Sequence, residues 1–222
     1  MSEANDVSLF YPMSHMNTSK RISAVIFDCD GVMFDSRQAN IIFYNHLLDQ
    51  FGLPPMREES TSFVHMHTAD ASVRHIFRGT PYVEQAQAYR LQMNYQPFIK
   101  DLIMEPGLKT LLKALKPRFR LAVATNRGNT IGTVLEFFGL KEYFDLVISS
   151  LDVKNPKPHP DPIFKILEFF QVNPLDALYV GDSAVDDETA KAAGVLFVSY
   201  KNKDLEADYH VDVLLDIVRL VG

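Results

Sequence analysis

The chain has 222 residues, 47% of them apolar, and a formal net charge of −6 with acids and bases scattered along it. That size suits one catalytic unit with a buried core, and the scattered charge excludes the basic stripe of a nucleic-acid binder. No run of about 18 apolar residues predicts a membrane span, and the single cysteine, Cys29, forms no internal disulfide, which fits a reducing cytoplasm.

Residues 1–19 are polar and aperiodic, with no basic start leading into an apolar stretch. They are expected to form a polar tail outside the fold and not a secretory signal. The first predicted element is an apolar strand over 22–28 that runs into Asp28-Cys29-Asp30-Gly31. A strand of Val, Ile and Phe without alternation reads as a buried parallel strand, and open α/β sheets bind ligands at the carboxyl ends of such strands. Gly31 lets the chain turn away sharply. Taken alone, this acidic turn equally suits a calcium loop or solvated surface.

Residues 36–105 are mostly helical. Ile41, Ile42, Leu47, Leu48 and Phe51 mark one amphipathic helix ended by Gly52 and Pro54, and 82–96 and 97–104 read as further helices. Between them, 63–74 reads as a loop carrying His65, His67, Thr68 and Arg74. After Glu105-Pro106-Gly107, helices and strands alternate: helices over 108–116, over 129–138 and after Asp161-Pro162, and strands over 120–125, 145–149, 177–182 and 195–199. The alternation predicts an α/β fold, a Rossmann-like parallel sheet with helices on both faces.

Polar groups recur at or beyond the strand ends: Thr125-Asn126-Arg127, Asn155-Pro156-Lys157-Pro158, and Gly181-Asp182-Ser183-Ala184-Val185-Asp186. With Asp28-Cys29-Asp30-Gly31, their order and chemistry resemble the four motifs of the haloacid dehalogenase superfamily, in its phosphatase branch. The resemblance spans about 22–200. It implies a core of 20–35 and 106–222 with a small α-helical cap, 36–105, inserted after the first strand. Hinges are then expected near 33–36 and 104–107.

The side chains support phosphoryl chemistry in their own right. Hydrolysis of phosphate monoesters is accelerated by up to ~10²¹, whereas one placed acid or base contributes ~10²–10⁴, so a covalent route and charge neutralisation are needed. Asp28 is the candidate nucleophile, forming an aspartyl phosphate, and Asp30 the candidate general acid and base. Thr125, Asn126 and Lys157 are candidates to bind the phosphoryl group. Clustered acids beside a phosphate call for a hard cation, Mg2+. The resemblance makes Asp28, the backbone carbonyl of Asp30 and Asp182 its ligands, with Asp186 direct or through water.

Substrate choice in such enzymes lies in the cap, where His67, Thr68 and Arg74 are candidates, Arg74 for a second anionic group. His65-x-His67 without placed partners is not read as a metal site. The favoured reading is a Mg2+-dependent phosphatase for small phosphorylated metabolites, phosphoglycolate phosphatase-like. The alternative is a β-phosphoglucomutase-like mutase, and a third reading is a non-catalytic phosphate-binding protein. Asp30 argues against a dehalogenase, which lacks the second acid.

Overall fold

A computed structural model describes residues 22–222, so the tail expected over 1–19 lies outside the described residues. β1 (Ala24–Phe27) is fully buried, as a central parallel strand covered on both faces must be. The chain then leaves the sheet through β2 (Phe34–Asp35) and passes through α1 (Arg37–Asp49), α2 (Thr61–Met66), α3 (Ala69–Ile76), α4 (Val83–Gln92) and α5 (Gln96–Ile99). It returns through β3 (Ile103–Met104), which pairs antiparallel with β2, Phe34 opposite Met104 and Asp35 opposite Ile103.

This helical insertion differs from the sequence reading in three places. The segment 63–74 is not a loop but parts of α2 and α3, and Thr68 caps α3 by accepting the Ala71 N–H at 3.2 Å. The helix expected over 82–96 stops at Gln92. Asn94 Oδ1 there accepts the Gln96 N–H at 3.0 Å, a local bond that competes with the helix, and Pro97 opens α5 instead. The helix expected over 97–104 ends at Ile99, because Ile103 and Met104 are drawn into the ribbon.

The alternating part follows as α6 (Leu108–Leu115), β4 (Arg120–Ala124), α7 (Ile131–Phe137), β5 (Leu146–Ile148), α8 (Asp161–Phe170), β6 (Ala177–Gly181), α9 (Ala184–Ala193), β7 (Leu196–Tyr200), β8 (Tyr209–Val211) and α10 (Ile217–Val221). The sheet order is β5-β4-β1-β6-β7-β8 with every neighbouring pair parallel. The chain therefore builds outward on one side of β1 and then on the other, which makes the carboxyl end of β1 the switch point where such sheets open a crevice.

Alternate residues of each strand enter different cores. Val25, Phe27, Leu121, Val123 and Val180 pack with the leucines of α6, with α7 and with the insertion, whereas Ala24, Ile26, Ala122 and Tyr179 pack under Ile163, Ile166 and Leu167 of α8 and Ala190 and Ala193 of α9. Helices thus cover both faces, as the alternation predicts. At the return crossing, buried Glu105 accepts from Tyr200 Oη at 2.8 Å and from Lys201 Nζ at 2.7 Å, which pins the ribbon's far end to β7.

Candidate active site

Asp28, Thr125 and Asp182 are the residues that follow β1, β4 and β6, and the order β4-β1-β6 makes those ends neighbours. The ladder continues one residue further at two of them: the Asp28 N–H donates to Val180 O at 2.9 Å, and the Thr125 N–H to Ile148 O at 3.0 Å. Their side chains are therefore carried on the rigid sheet edge and not on free loop. Two glycines make room for the acids. A Cβ on Gly31, whose φ is +90°, would stand 2.0 Å from Asp182 Oδ2, and one on Gly181 would stand 2.3 Å from Asp186 Cβ. Each acid fills the space that a missing side chain leaves.

Lys157 ties the cluster together. Its loop is closed by Asp161, whose Oδ2 accepts the Asn155 N–H at 3.2 Å and Nδ2 at 3.1 Å instead of capping α8. The buried Nζ lies 2.8 Å from Asp28 Oδ1, 2.7 Å from Asp186 Oδ1 and 2.9 Å from Tyr179 Oη, which uses all three ammonium hydrogens. Burial opposes the charge on Lys157, but Asp186 and Asp28 outweigh it and hold the ammonium above its ordinary range. Burial, with Asp186 and Asp30 adding and Lys157 opposing, pushes Asp28 up to about 7. Burial beside Asp186 and Asp28 pushes Asp182 up to about 8.

Asp186 behaves differently because every lone pair it offers is taken. Oδ1 accepts from Lys157 and from Tyr179 Oη at 2.5 Å. Oδ2 accepts from Ser183 Oγ at 2.6 Å and the Ser183 N–H at 3.2 Å, closing a capping box on α9. Despite full burial, these donors hold its carboxyl below the usual range. Asp186 is thus both helix cap and lysine anchor. Asp187 pairs with Lys191 at 3.1 Å outside the cluster.

Sequence reasoning singled out no partner for Asp30. The structure gives it Arg127, which donates Nε to Oδ2 at 3.1 Å and Nη2 to Oδ1. Burial pushes the Asp30 carboxyl up, but the guanidinium overcomes it and holds the group below the ordinary value. The same guanidinium donates Nη1 to Tyr95 Oη of the insertion at 2.8 Å and to Thr130 Oγ1 at 3.3 Å.

Thr125 Oγ1 accepts the Arg127 N–H at 3.0 Å, which leaves its hydroxyl hydrogen for a ligand. Asn126 is committed: Nδ2 donates to Lys157 O and to Met66 O, each at 3.1 Å, so the side-chain amide is no spare phosphoryl donor.

The insertion roofs these groups and leaves a cavity of about 70 Å³. At ~10–15 Å³ for one water, that space holds about five to seven water-sized groups, enough for a phosphoryl and a short remainder. Of the three expected specificity residues only His67 lines it, stacked on Phe63 with ring centroids 3.9 Å apart. Thr68 is spent on its helix cap. Arg74 is exposed and pairs with Asp70 at 3.0 Å and Glu84 at 3.1 Å. The wall is completed by His65, from the segment expected to set specificity, and by Asn40, Tyr44, Arg90 and Tyr95, which were not expected there.

Carboxylate oxygens of Asp28, Asp182 and Asp186 lie within 4.8 Å of one another. Hard oxygens suit Mg2+, and the crowding that raises Asp28 and Asp182 is the repulsion a divalent cation relieves, so the residues fit the ion.

Comparison with known proteins agrees with this geometry. The model of the haloacid dehalogenase-like hydrolase family matches residues 25–200. Pyrophosphatase PpaX of Bacillus pumilus is 30% identical over 93% of this chain and 99% of its own. Phosphoglycolate phosphatase of Chromobacterium violaceum is 28% identical over 91% of this chain and 97% of its own. The crystal structure of a subfamily IA hydrolase of the same superfamily from Geobacter sulfurreducens is 41% identical. It covers 90% of this chain and 97% of its own, with a TM-score of 0.75. With both carboxylates, the lysine and the distal acids gathered at one sheet edge, the chain belongs to the haloacid dehalogenase-like hydrolase family.

Proposed function

We propose that the chain is a Mg2+-dependent phosphatase for small phosphorylated metabolites that works through an aspartyl phosphate on Asp28. The observation that carries this reading is the position of Asp28, at a sheet edge with Lys157 Nζ at 2.8 Å and Asp182 beside it. Its carboxylate attacks phosphorus, and the bond from phosphorus to the leaving oxygen breaks. Asp30, which must first take up a proton against the pull of Arg127, gives that proton to the leaving oxygen and then, as carboxylate, takes one from the water that releases orthophosphate. Held on Arg127, Asp30 is in the ionised form that the second half of the reaction requires.

Asp28, Asp182 and the backbone carbonyl of Asp30 would hold Mg2+, and Asp186 would act through water on giving up one of the donors its oxygens now hold. The ion would neutralise charge on the transferring phosphoryl group. Lys157 and the Thr125 hydroxyl face the same charge. We read 36–105 as a cap that excludes water, hinged at the ribbon of β2 and β3.

The experiment is hydrolysis of a panel of small phosphomonoesters with and without Mg2+, reading free phosphate. Phosphate release that needs both Mg2+ and Asp28 supports the proposal. Isomerised sugar phosphate without free phosphate would show a mutase, and silence across the panel would favour a phosphate-binding protein.

A further inference from the structure

Among the described residues, the Lys and Arg side chains that line the cavity are Lys157, Arg127 and Arg90. Two are matched to acids: Lys157 to Asp28 and Asp186, and Arg127 to Asp30. Arg90, in the last turn of α4, is not. It donates Nε at 3.1 Å and Nη2 at 2.9 Å to one neutral oxygen, Gln87 Oε1, and forms no ion pair among the described residues.

Gln87 is itself fixed. It is buried, and its Nε2 donates to Asp70 O at 2.9 Å, which turns the amide oxygen toward Arg90. The guanidinium is therefore oriented by a rigid neutral group, and Nη1 has no partner among the described residues. Burial pulls the half-buried Arg90 below its ordinary value. Asp70 acts on this charge only from a distance, and a cation partly withdrawn from water without an anion in contact is unfavourable. That cost is recovered when an anion docks on the guanidinium fork.

The transferring phosphoryl group is not that anion, since Asp28, Lys157 and Thr125 already serve it at the sheet edge. We propose that Arg90 is a specificity-determining residue that receives a second anionic group, carboxylate or phosphate, on a small phosphomonoester. The proposal rests on the phosphatase reading. It transfers to Arg90 the role expected of Arg74, which Asp70 and Glu84 neutralise at the surface. The small cavity keeps the second anion within a few bonds of the phosphoryl group.

The test uses the full chain with Mg2+ and compares phosphoglycolate and pyrophosphate with ethyl phosphate, whose tail is neutral. Arg90→Gln is expected to lower kcat/KM on the two substrates that carry a second anionic group about 10–100-fold, mostly through KM, the range of a lost charge-assisted bond. Ethyl phosphate should change by less than about twofold, and Arg90→Lys should recover part of the loss. An equal change on all three substrates, or none, would overturn the proposal. Hydrolysis of ethyl phosphate by the wild type keeps the phosphatase reading standing whatever Arg90 does. If the wild type turns over none of the three, the phosphatase reading falls, and calorimetric binding of phosphoglycolate to wild type and Arg90→Gln decides the residue's role. A tenfold weaker Kd in the variant supports it, and an unchanged Kd overturns it.

Discussion

Arg127 grips both carboxylate oxygens of Asp30 from 97 positions further along the chain. The pair is nearly buried, with side-chain exposures of 6% and 13%. Replacing Arg127 by Met leaves Asp30 buried without its counter-charge, which costs about 3–5 kcal/mol at pH 7. Because the folded-state value of Asp30 is depressed, its contribution is present above the unfolded value and is lost as pH falls through the folded one. The gap between wild type and Arg127→Met in urea unfolding should therefore narrow in acid. The acidic limb of kcat should also move to higher pH, because Asp30 no longer ionises early enough to act as base.

The two acids of the opening motif are separable by kinetics. With p-nitrophenyl phosphate, whose leaving group needs no proton, Asp30→Asn should still form the phosphoenzyme but release it ~10²–10⁴-fold more slowly. Stopped-flow absorbance should then show a burst of nitrophenolate close to one per enzyme. Asp28→Asn should show neither burst nor turnover. A burst from Asp28→Asn would place the nucleophile elsewhere.

Lys157→Met removes the only cation in contact with Asp28 and Asp186 among the described residues. The expected loss is about 3–5 kcal/mol at pH 8, with activity abolished. Asp28, already pushed up to about 7, takes a proton readily in the variant, so the loss should shrink at pH 5. Equal losses at the two pH values in chemical denaturation would contradict the charge argument.

Mg2+ should stabilise the protein more at high pH than at low. Asp28 and Asp182 have folded values near 7 and 8, above their unfolded values, so in the metal-free protein stability falls as pH rises from about 4 toward 8. Metal binding requires the ionised forms and reverses that penalty. The rise in Tm on adding Mg2+ should grow between pH 6 and 8.5 in differential scanning fluorimetry, and a pH-independent rise would reject Asp182 as a ligand.

Gly31→Ala should disable the site from a position that carries no functional group. The added methyl meets Asp182 Oδ2 at 2.0 Å and its backbone sits at φ +90°, so Asp182 must move and the turn is strained by roughly 1–3 kcal/mol. Activity and the Mg2+-dependent Tm shift should disappear together.

The core of the fold and the edge cluster were legible because strand ends and motif acids are local signals. Asp28 and Asp182 each follow an apolar run, and the βα alternation brings those runs side by side. β8 was not legible: only Val211 of its three residues is buried, so no periodicity marks it. Arg127 and Arg90 were missed for a different reason. An arginine in a polar turn or a polar helix resembles surface, and its partners emerge only when distant segments meet. Arg74 carried a usable warning, since Asp70 four residues earlier is the spacing of a helical ion pair. Tyr179 gave none, because a tyrosine within a strand reads as core until its hydroxyl is seen between Lys157 and Asp186.

The pairing of β2 with β3 has an evolutionary reading. The chain's departure from the sheet and its return lie side by side, about 5 Å apart at paired Cα atoms, with Phe34 facing Met104. The chain between Ser36 and Leu102 is joined covalently to the sheet only at that junction, but Tyr95 and Met66 reach back to Arg127 and Asn126, so any helical module exchanged there has to supply those two contacts again.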